Sequence, residues 1–160
     1  MPGWDTFFAA QVAASATLAG LLFVGVSLNL AKILENPSLP NRALAGGCLL
    51  MAILIISSMM LMPGQTSGIR GGEILLVGCS VWFVGSRIDL ESIRKSTAEY
   101  RHHFIRHSIL VQIAICPYLV GGLLVLFGHE SGFYWVAAAM MLSLLAACFE
   151  AWVLLVEINR

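Results

Sequence analysis

The residues of this chain whose types could do chemistry are acids and amides inside apolar segments. Glu150 stands out because, if the apolar segment 133–157 crosses a membrane as a helix, its carboxyl group lies about 10 Å from the membrane surface. An ionisable group at that depth is costly, so it is a functional candidate and needs a partner. Gln112 and Arg87 lie at suitable depths in other segments, and Glu73 is a further intramembrane candidate. Alternatively, Glu150 is protonated or takes part in a packing hydrogen bond.

A stripe of small side chains follows the first apolar segment at helical spacing. Its members include Ala13, Thr17, Gly20 and Ser27. Helices in a membrane associate by close backbone approach, which small residues permit. Two interpretations stay open. The stripe packs against a neighbouring helix, or it surrounds the symmetry axis of an oligomer, where its hydroxyl groups would line a narrow path between copies.

Metal, cofactor and covalent chemistry find no support in the sequence. Glu99, His103 and His107 share one helical face, but a metal site needs three or four ligands and this segment supplies few. The cysteines stand singly in different apolar segments, where we expect small buried hydrophobic residues: Cys48, Cys79, Cys116 and Cys148. No nucleophile elbow, phosphate loop, dinucleotide fingerprint or zinc-protease motif is present. We therefore expect no metal, no cofactor and no enzymatic activity.

The composition indicates whether these residues are surrounded by water or by a membrane. Of the 160 residues, 59% are hydrophobic and 11% are charged, whereas soluble domains have about 25% charged residues. The length allows four or five membrane-spanning helices of about 20 residues each and no separate soluble domain. Nine basic residues balance nine acidic ones, so nucleic acid is not an expected partner, whereas membrane lipids are. The sequence predicts a single all-α transmembrane helical bundle.

Five segments are candidates to cross the membrane: 7–31, 43–63, 71–90, 109–128 and 133–157. The third is the uncertain one, because it reaches the required length only if Glu73 and Arg87 lie at opposite membrane interfaces. Without it the chain would have four spans. Pro117, followed by Gly121 and Gly122, is expected to bend the fourth helix.

The distribution of basic residues predicts the orientation, because positive charges concentrate in cytoplasmic loops. Five spans place Arg70 alone on one side of the membrane. The other eight fall together on the opposite side: Lys32, Arg42, Arg87, Arg94, Lys95, Arg101, Arg106 and Arg160. The N-terminus is therefore expected outside and the C-terminus in the cytoplasm, with a cytoplasmic helical hairpin over about 88–108. Four spans would instead place both termini inside.

Several motifs in residues 4–65 resemble those of small bacterial multi-pass inner-membrane proteins that have no assigned function. They are Trp4-Asp5-x-Phe7-Phe8, the run from Leu18-Ala19-Gly20 to Leu28-Asn29-Leu30, Leu39-Pro40-x-Arg42-Ala43, and Leu61-Met62-Pro63-Gly64-Gln65. The resemblance implies a bacterial inner membrane and no particular activity.

Two functions remain open from the sequence. The first is a homo-oligomeric pore or small-solute or ion conductor, with the first helix near the axis and Glu150 or Glu73 providing cation preference. The second is a non-conducting accessory or regulatory subunit that packs its small-residue stripe against another membrane protein.

Overall fold

The computed structural model describes residues 3–35, 39–95 and 101–158, without the side chains of residues 89, 91–111 and 157–158. This part of the chain contains six helices and no strand. The helices are α1 Trp4–Leu28, α2 Leu30–Glu35, α3 Leu39–Met60, α4 Ser67–Lys95, α5 Arg101–Leu126 and α6 Gly132–Ile158. The predicted all-α bundle is confirmed.

Helix α3 is the centre of the bundle. It packs against α1, α4 and α6, and α5 closes a ring by packing between α4 and α6. The rings of Trp4 and Phe133, at the starts of α1 and α6, lie 5.7 Å apart between centroids. At the opposite end, Ile33 of α2 forms a buried cluster with Leu39 and Leu154. We call these two ends of the bundle the Trp4 end and the Arg42 end.

Four helices are long and apolar enough to cross a membrane: Trp4–Leu28, Leu39–Met60, Ser67–Ile88 and Gly132–Val156. The segment 71–90, whose crossing the sequence left open, lies within α4. The part of α4 from Ser67 to Ile88 is long and apolar enough to cross a membrane. In α5 the shorter stretch Gln112–Leu126 is apolar. The chain is thus a multi-pass membrane helical bundle, and its orientation remains a prediction.

The first apolar segment is not one continuous helix. Helix α1 ends at Leu28, and α2 begins at Leu30. Between them, the Asn29 side-chain amide donates to the Gly25 carbonyl at 3.0 Å, and its backbone N–H donates to the Val26 carbonyl at 3.3 Å. Asparagine offers the backbone this alternative to regular helical bonding, so the predicted segment 7–31 is interrupted two residues before its end.

The hairpin of α5 and α6 turns at Gly128, which has a φ of 82°. The Gly128 N–H donates to the Val125 carbonyl and the His129 N–H donates to the Leu124 carbonyl, each at 2.9 Å. These two bonds satisfy carbonyls left free at the end of α5, and the positive φ favours glycine at this position. In the sequence, the short polar connection Gly128 to Gly132 between the apolar segments 109–128 and 133–157 predicts a helical hairpin, and the structure has it.

Glycines allow α5 to touch both of its neighbours. A Cβ added at Gly121 would lie 2.8 Å from the Gly132 carbonyl oxygen, and one added at Gly71 would overlap the backbone of Leu126. The backbones of α4, α5 and α6 therefore meet directly, as in other membrane helix contacts with small residues. Pro117 lies inside α5, which continues to Leu126.

The predicted cytoplasmic hairpin over 88–108 lies only partly within the described residues. Helix α4 extends to Lys95 and α5 begins at Arg101, so both helices continue beyond their apolar parts. Residues 96–100 and the side chains of 91–111 are outside the description. The face shared by Glu99, His103 and His107 falls there.

Candidate functional site

The buried acid Glu150 has a cationic partner inside the bundle. Its side chain is 5% exposed, and its Oε2 lies 3.4 Å from the Nε of Arg42, whose side chain is 27% exposed. Arg42 lies in the first turn of α3, and Glu150 lies near the end of the antiparallel helix α6. The two opposite charges therefore compensate each other where water is scarce, which is the arrangement a charge in a membrane requires.

Packing around the pair explains why the two side chains meet. Leu39 and Leu154 are both buried in the cluster at the Arg42 end, which brings the start of α3 against the end of α6. One turn beyond Arg42, α3 carries Gly46, and a Cβ added there would lie 3.4 Å from the Cβ of Glu150. The absence of a side chain at Gly46 lets the backbone of α3 approach Glu150 closely.

The partner of Glu150 differs from the two residues considered in the sequence. Gln112 donates from its Nε2 to the Ser86 hydroxyl at 3.3 Å, and the Arg87 guanidinium lies 4.8 Å from the centroid of the Phe83 ring. Arg87 belongs to α4, which packs against α3 and α5. The sequence assigns Arg42 only a role in setting the topology. One feature of the sequence could have identified Arg42 as the partner. It lies at the start of the second predicted span, on the same side of the membrane as the end of the last span, which carries Glu150.

Glu73 lies at the opposite end of the bundle from Glu150. Both of its carboxylate oxygens accept hydrogen bonds from the Gln65 Nε2, each at 2.9 Å. Gln65 belongs to the connection between α3 and α4, where the Thr66 carbonyl accepts the Arg70 N–H at 3.1 Å. The half-buried carboxylate of Glu73 thus holds this connection against α4.

The stripe residues Ala13, Thr17, Gly20 and Ser27 are all exposed on the structure. The Thr17 hydroxyl donates to the Ala13 carbonyl of its own helix at 2.8 Å, and a Cβ added at Gly20 would have no other atom within 4 Å. The opposite face of α1 packs inside the chain through buried Phe8, Gln11, Ser15 and Ala19. These four residues therefore do not form the buried face of α1, and both helix packing and pore lining by the stripe remain predictions that involve another molecule.

One part of the bundle surface differs from the rest in side-chain size. Between Trp4 and Gly20 no large hydrophobic residue is exposed, whereas exposed large hydrophobic residues occur on every other described helix. We call the part of this surface between Ala9 and Gly20 the outer α1 face, and its exposed residues are Ala9, Ala10, Ala13, Ala14, Ala16, Thr17 and Gly20. A second helix could approach this backbone more closely than it could approach the surfaces covered by large side chains.

Other buried polar groups are distributed singly through the core. The Ser15 hydroxyl donates to the Gln11 carbonyl at 2.6 Å, and the Ser57 hydroxyl donates to the Met140 sulfur at 3.7 Å. Ser143 is fully buried on α6. The hydroxyl of Ser15 is thus satisfied on its own helix and that of Ser57 across helices, so both contribute to packing.

The cysteines do not occupy the buried positions expected from the sequence. Cys79, Cys116 and Cys148 are exposed on the bundle surface, and Cys48 is half-buried. Because the membrane is itself apolar, a small hydrophobic residue is as compatible with the lipid side as with the core. Across the described ranges, no three His, Cys, Asp or Glu side chains come together as a metal site would require.

No protein-family model, curated protein or solved structure matches this chain. Its function is therefore inferred from its own residues.

Proposed function

We propose that this chain is a non-conducting accessory subunit of the bacterial inner membrane, which binds another multi-pass membrane protein through its outer α1 face. The observation that carries the proposal is the pairing of Glu150 with Arg42 at 3.4 Å inside the bundle. An intramembrane acid is usually a sign of ion or proton traffic. In this chain its charge is compensated by a neighbouring helix, so it links α3 to α6.

The same observation weakens the pore hypothesis. A cation pathway needs negative charges or oxygen atoms that replace part of the ion's hydration shell. Glu150 already faces a guanidinium group, and both carboxylate oxygens of Glu73 accept hydrogen bonds from Gln65. Glu150 therefore offers no uncompensated charge to an axis formed by α1, and the oxygens of Glu73 are already engaged in hydrogen bonds.

The outer α1 face supports binding to a protein. Lipid tails are as apolar as leucine, so helices gain from association chiefly where small residues let backbones approach. The outer α1 face has that property, and Gly20 leaves open space beside the backbone. Elsewhere, large exposed side chains such as Phe83, Leu145 and Trp152 suit contact with lipid.

A homo-oligomeric pore is the second candidate, and the exposure of Thr17 and Ser27 on α1 favours it. In a ring of copies these hydroxyls could face a shared axis. The two candidates differ in what binds α1, which is an unlike protein in the accessory subunit and another copy of this chain in the pore.

Native mass measurement of the chain, purified in mild detergent from its own membrane, distinguishes these candidates. The accessory proposal predicts one unlike membrane protein in fixed ratio with one copy of the 17.3 kDa chain. Gly20→Leu should remove that partner, because a large side chain separates the two backbones. Gly72→Leu is the control, since an added Cβ at Gly72 also meets no atom within 4 Å but lies on α4. A fixed number of like copies that conducts cations would overturn the proposal.

A further inference from the structure

Arg87 is a cation on the outer surface of α4. Its side chain is exposed, and it lies in the last turn of Ser67–Ile88, the part of α4 that is long and apolar enough to cross a membrane. The guanidinium group lies 4.8 Å from the centroid of the Phe83 ring, which is 55% exposed. A ring face attracts a cation but does not neutralise it. A charge at this position therefore needs an anion.

The acids of the described residues do not supply that anion. Glu150 already pairs with a cation of α3, and Glu73 lies near the opposite end of α4. Among the described side chains, none forms an ion pair with Arg87. In the sequence, Asp89 and Glu91 follow Arg87 by two and four residues. Residues two apart do not face each other on a helix, and an acid four residues after a base is in the weaker order for a pair. The anion is therefore expected from outside the chain.

An apolar groove between α3 and α4 leads to Arg87. Its volume is about 340 Å³, and each of the two helices contributes five wall residues. On α4, which runs from the Trp4 end to the Arg42 end, the wall extends from Leu76 to Val84, about 12 Å of helix. Val84 and Arg87 are three residues apart, so they lie one above the other on the same side of α4. The charge thus follows the groove by one helical turn, at its Arg42 end.

We propose that the groove between α3 and α4 binds one anionic phospholipid, with an acyl chain along the α4 wall and the phosphate group at the Arg87 guanidinium. A phospholipid joins an apolar chain to a phosphate, and a guanidinium group donates charge-assisted hydrogen bonds to a phosphate. The Arg42 end is the end predicted to face the cytoplasm, where anionic headgroups make the leaflet surface negative. A partner helix would have to carry an acid into the membrane to provide the same charge, which is costly.

Occupancy of the groove can be measured by fluorescence, because bromine atoms on an acyl chain quench a tryptophan that they contact. The reporter is Ile55→Trp, made in the full chain with its four native tryptophans replaced by Phe. Ile55 lines the groove and is 42% exposed. Leu142→Trp on α6 is the matched control, since Leu142 is 38% exposed and lies outside the groove. Ser57 and Met140 are in contact, and each reporter lies two residues from that contact toward the Arg42 end, so the two have similar depths.

The reporters would be compared in phosphatidylethanolamine vesicles that contain a minor fraction of brominated lipid. At residue 55, brominated phosphatidylglycerol should bind about fivefold more tightly than brominated phosphatidylethanolamine, as expected for one basic residue near the headgroups. At residue 142 the two lipids should quench equally. Arg87→Gln should remove the fivefold preference at residue 55, whereas Glu91→Gln should leave it unchanged.

Filling the groove provides a second measurement. Ser80 is exposed and lines the groove, so Ser80→Leu should occupy part of the space and lower quenching at residue 55 to the level at residue 142. Gly72→Leu is the control on the same helix, because Gly72 lies outside the groove and an added Cβ there meets no atom within 4 Å. It should leave quenching at residue 55 unchanged.

Three results would overturn the proposal. Equal binding of the two lipids at residue 55 would mean that the groove holds only passing lipid. A preference for phosphatidylglycerol that persists in a well-folded Arg87→Gln variant would remove the phosphate contact. A severalfold stronger preference in Glu91→Gln would show that Arg87 pairs within its own helix. Each of these results leaves the accessory role of the outer α1 face standing, because none of them probes that face.

Discussion

Removing one partner of the Arg42–Glu150 pair should destabilise the bundle unequally, depending on which partner is lost. Arg42→Gln leaves a carboxylate that is 5% exposed without its guanidinium group, which should cost about 3 kcal/mol, at the low end for a broken buried pair. Glu150→Gln leaves Arg42, which is 27% exposed and has a long side chain that can reach the interface. That change should cost about 1 kcal/mol, close to one hydrogen bond.

The double variant Arg42→Gln/Glu150→Gln should cost little more than Glu150→Gln alone. The coupling energy of the cycle, which is the summed cost of the single variants less that of the double variant, is therefore expected to be about 3 kcal/mol. It would be measured by unfolding in mixed micelles with increasing sodium dodecyl sulfate, followed by far-ultraviolet circular dichroism. Arg87→Gln is the control for losing a cation near the same end, and it should cost about 0.5 kcal/mol because Arg87 lies over an exposed ring. If the cost of the double variant equals the sum of the two single costs within error, the pairing of Arg42 with Glu150 is refuted.

Further substitutions test the packing and the topology. Gly121→Ala should destabilise the bundle by about 1 to 3 kcal/mol in the same unfolding assay, because its Cβ would overlap Gly132 of α6. Unchanged stability would contradict the close approach of α5 and α6. Leu22→Ala should cost about 2 kcal/mol, because Leu22 packs against two core clusters, whereas Gly20→Leu should leave the stability of the isolated chain unchanged. A larger loss of stability in Gly20→Leu than in Leu22→Ala would instead place the small-residue stripe in the interior of the chain. The variant Ala98→Cys, made in a chain whose four native cysteines are replaced, should not react with an impermeant maleimide added outside intact cells. Labelling of this cysteine from outside would contradict the predicted orientation.

Much of the fold could be predicted from the sequence because the bilayer imposes strict requirements on the chain. A single segment can satisfy all its backbone groups within the hydrocarbon only as a helix, so long apolar runs predict helices directly. Gly128 and its neighbours marked the turn between α5 and α6, and Pro40 lies in the first turn of α3. The break at Asn29 was missed, because a side chain that competes for a backbone carbonyl leaves no trace in the hydropathy.

The candidate site was harder to predict because helix neighbours are not encoded locally. Depth along a span identified Glu150 as a residue in need of a partner, but depth alone could not select Arg42 over Gln112 or Arg87. Arg42 is the partner because α3, which carries it, packs against α6, which carries Glu150. In the same way, helical spacing located the small-residue stripe containing Gly20, but the buried face of α1 is the opposite one, through Ser15. In a membrane both faces of a helix are apolar, so hydropathy gives no direction.

Cation flux into liposomes that contain the purified chain tests the central claim most directly. If Glu150 is compensated by Arg42 and the chain is a non-conducting subunit, the wild-type protein should give no more flux than protein-free liposomes. The well-folded Glu150→Gln variant should give the same low value. Flux through the wild-type protein that is lost in a well-folded Glu150→Gln variant would contradict the account and identify Glu150 as a residue of a permeation path.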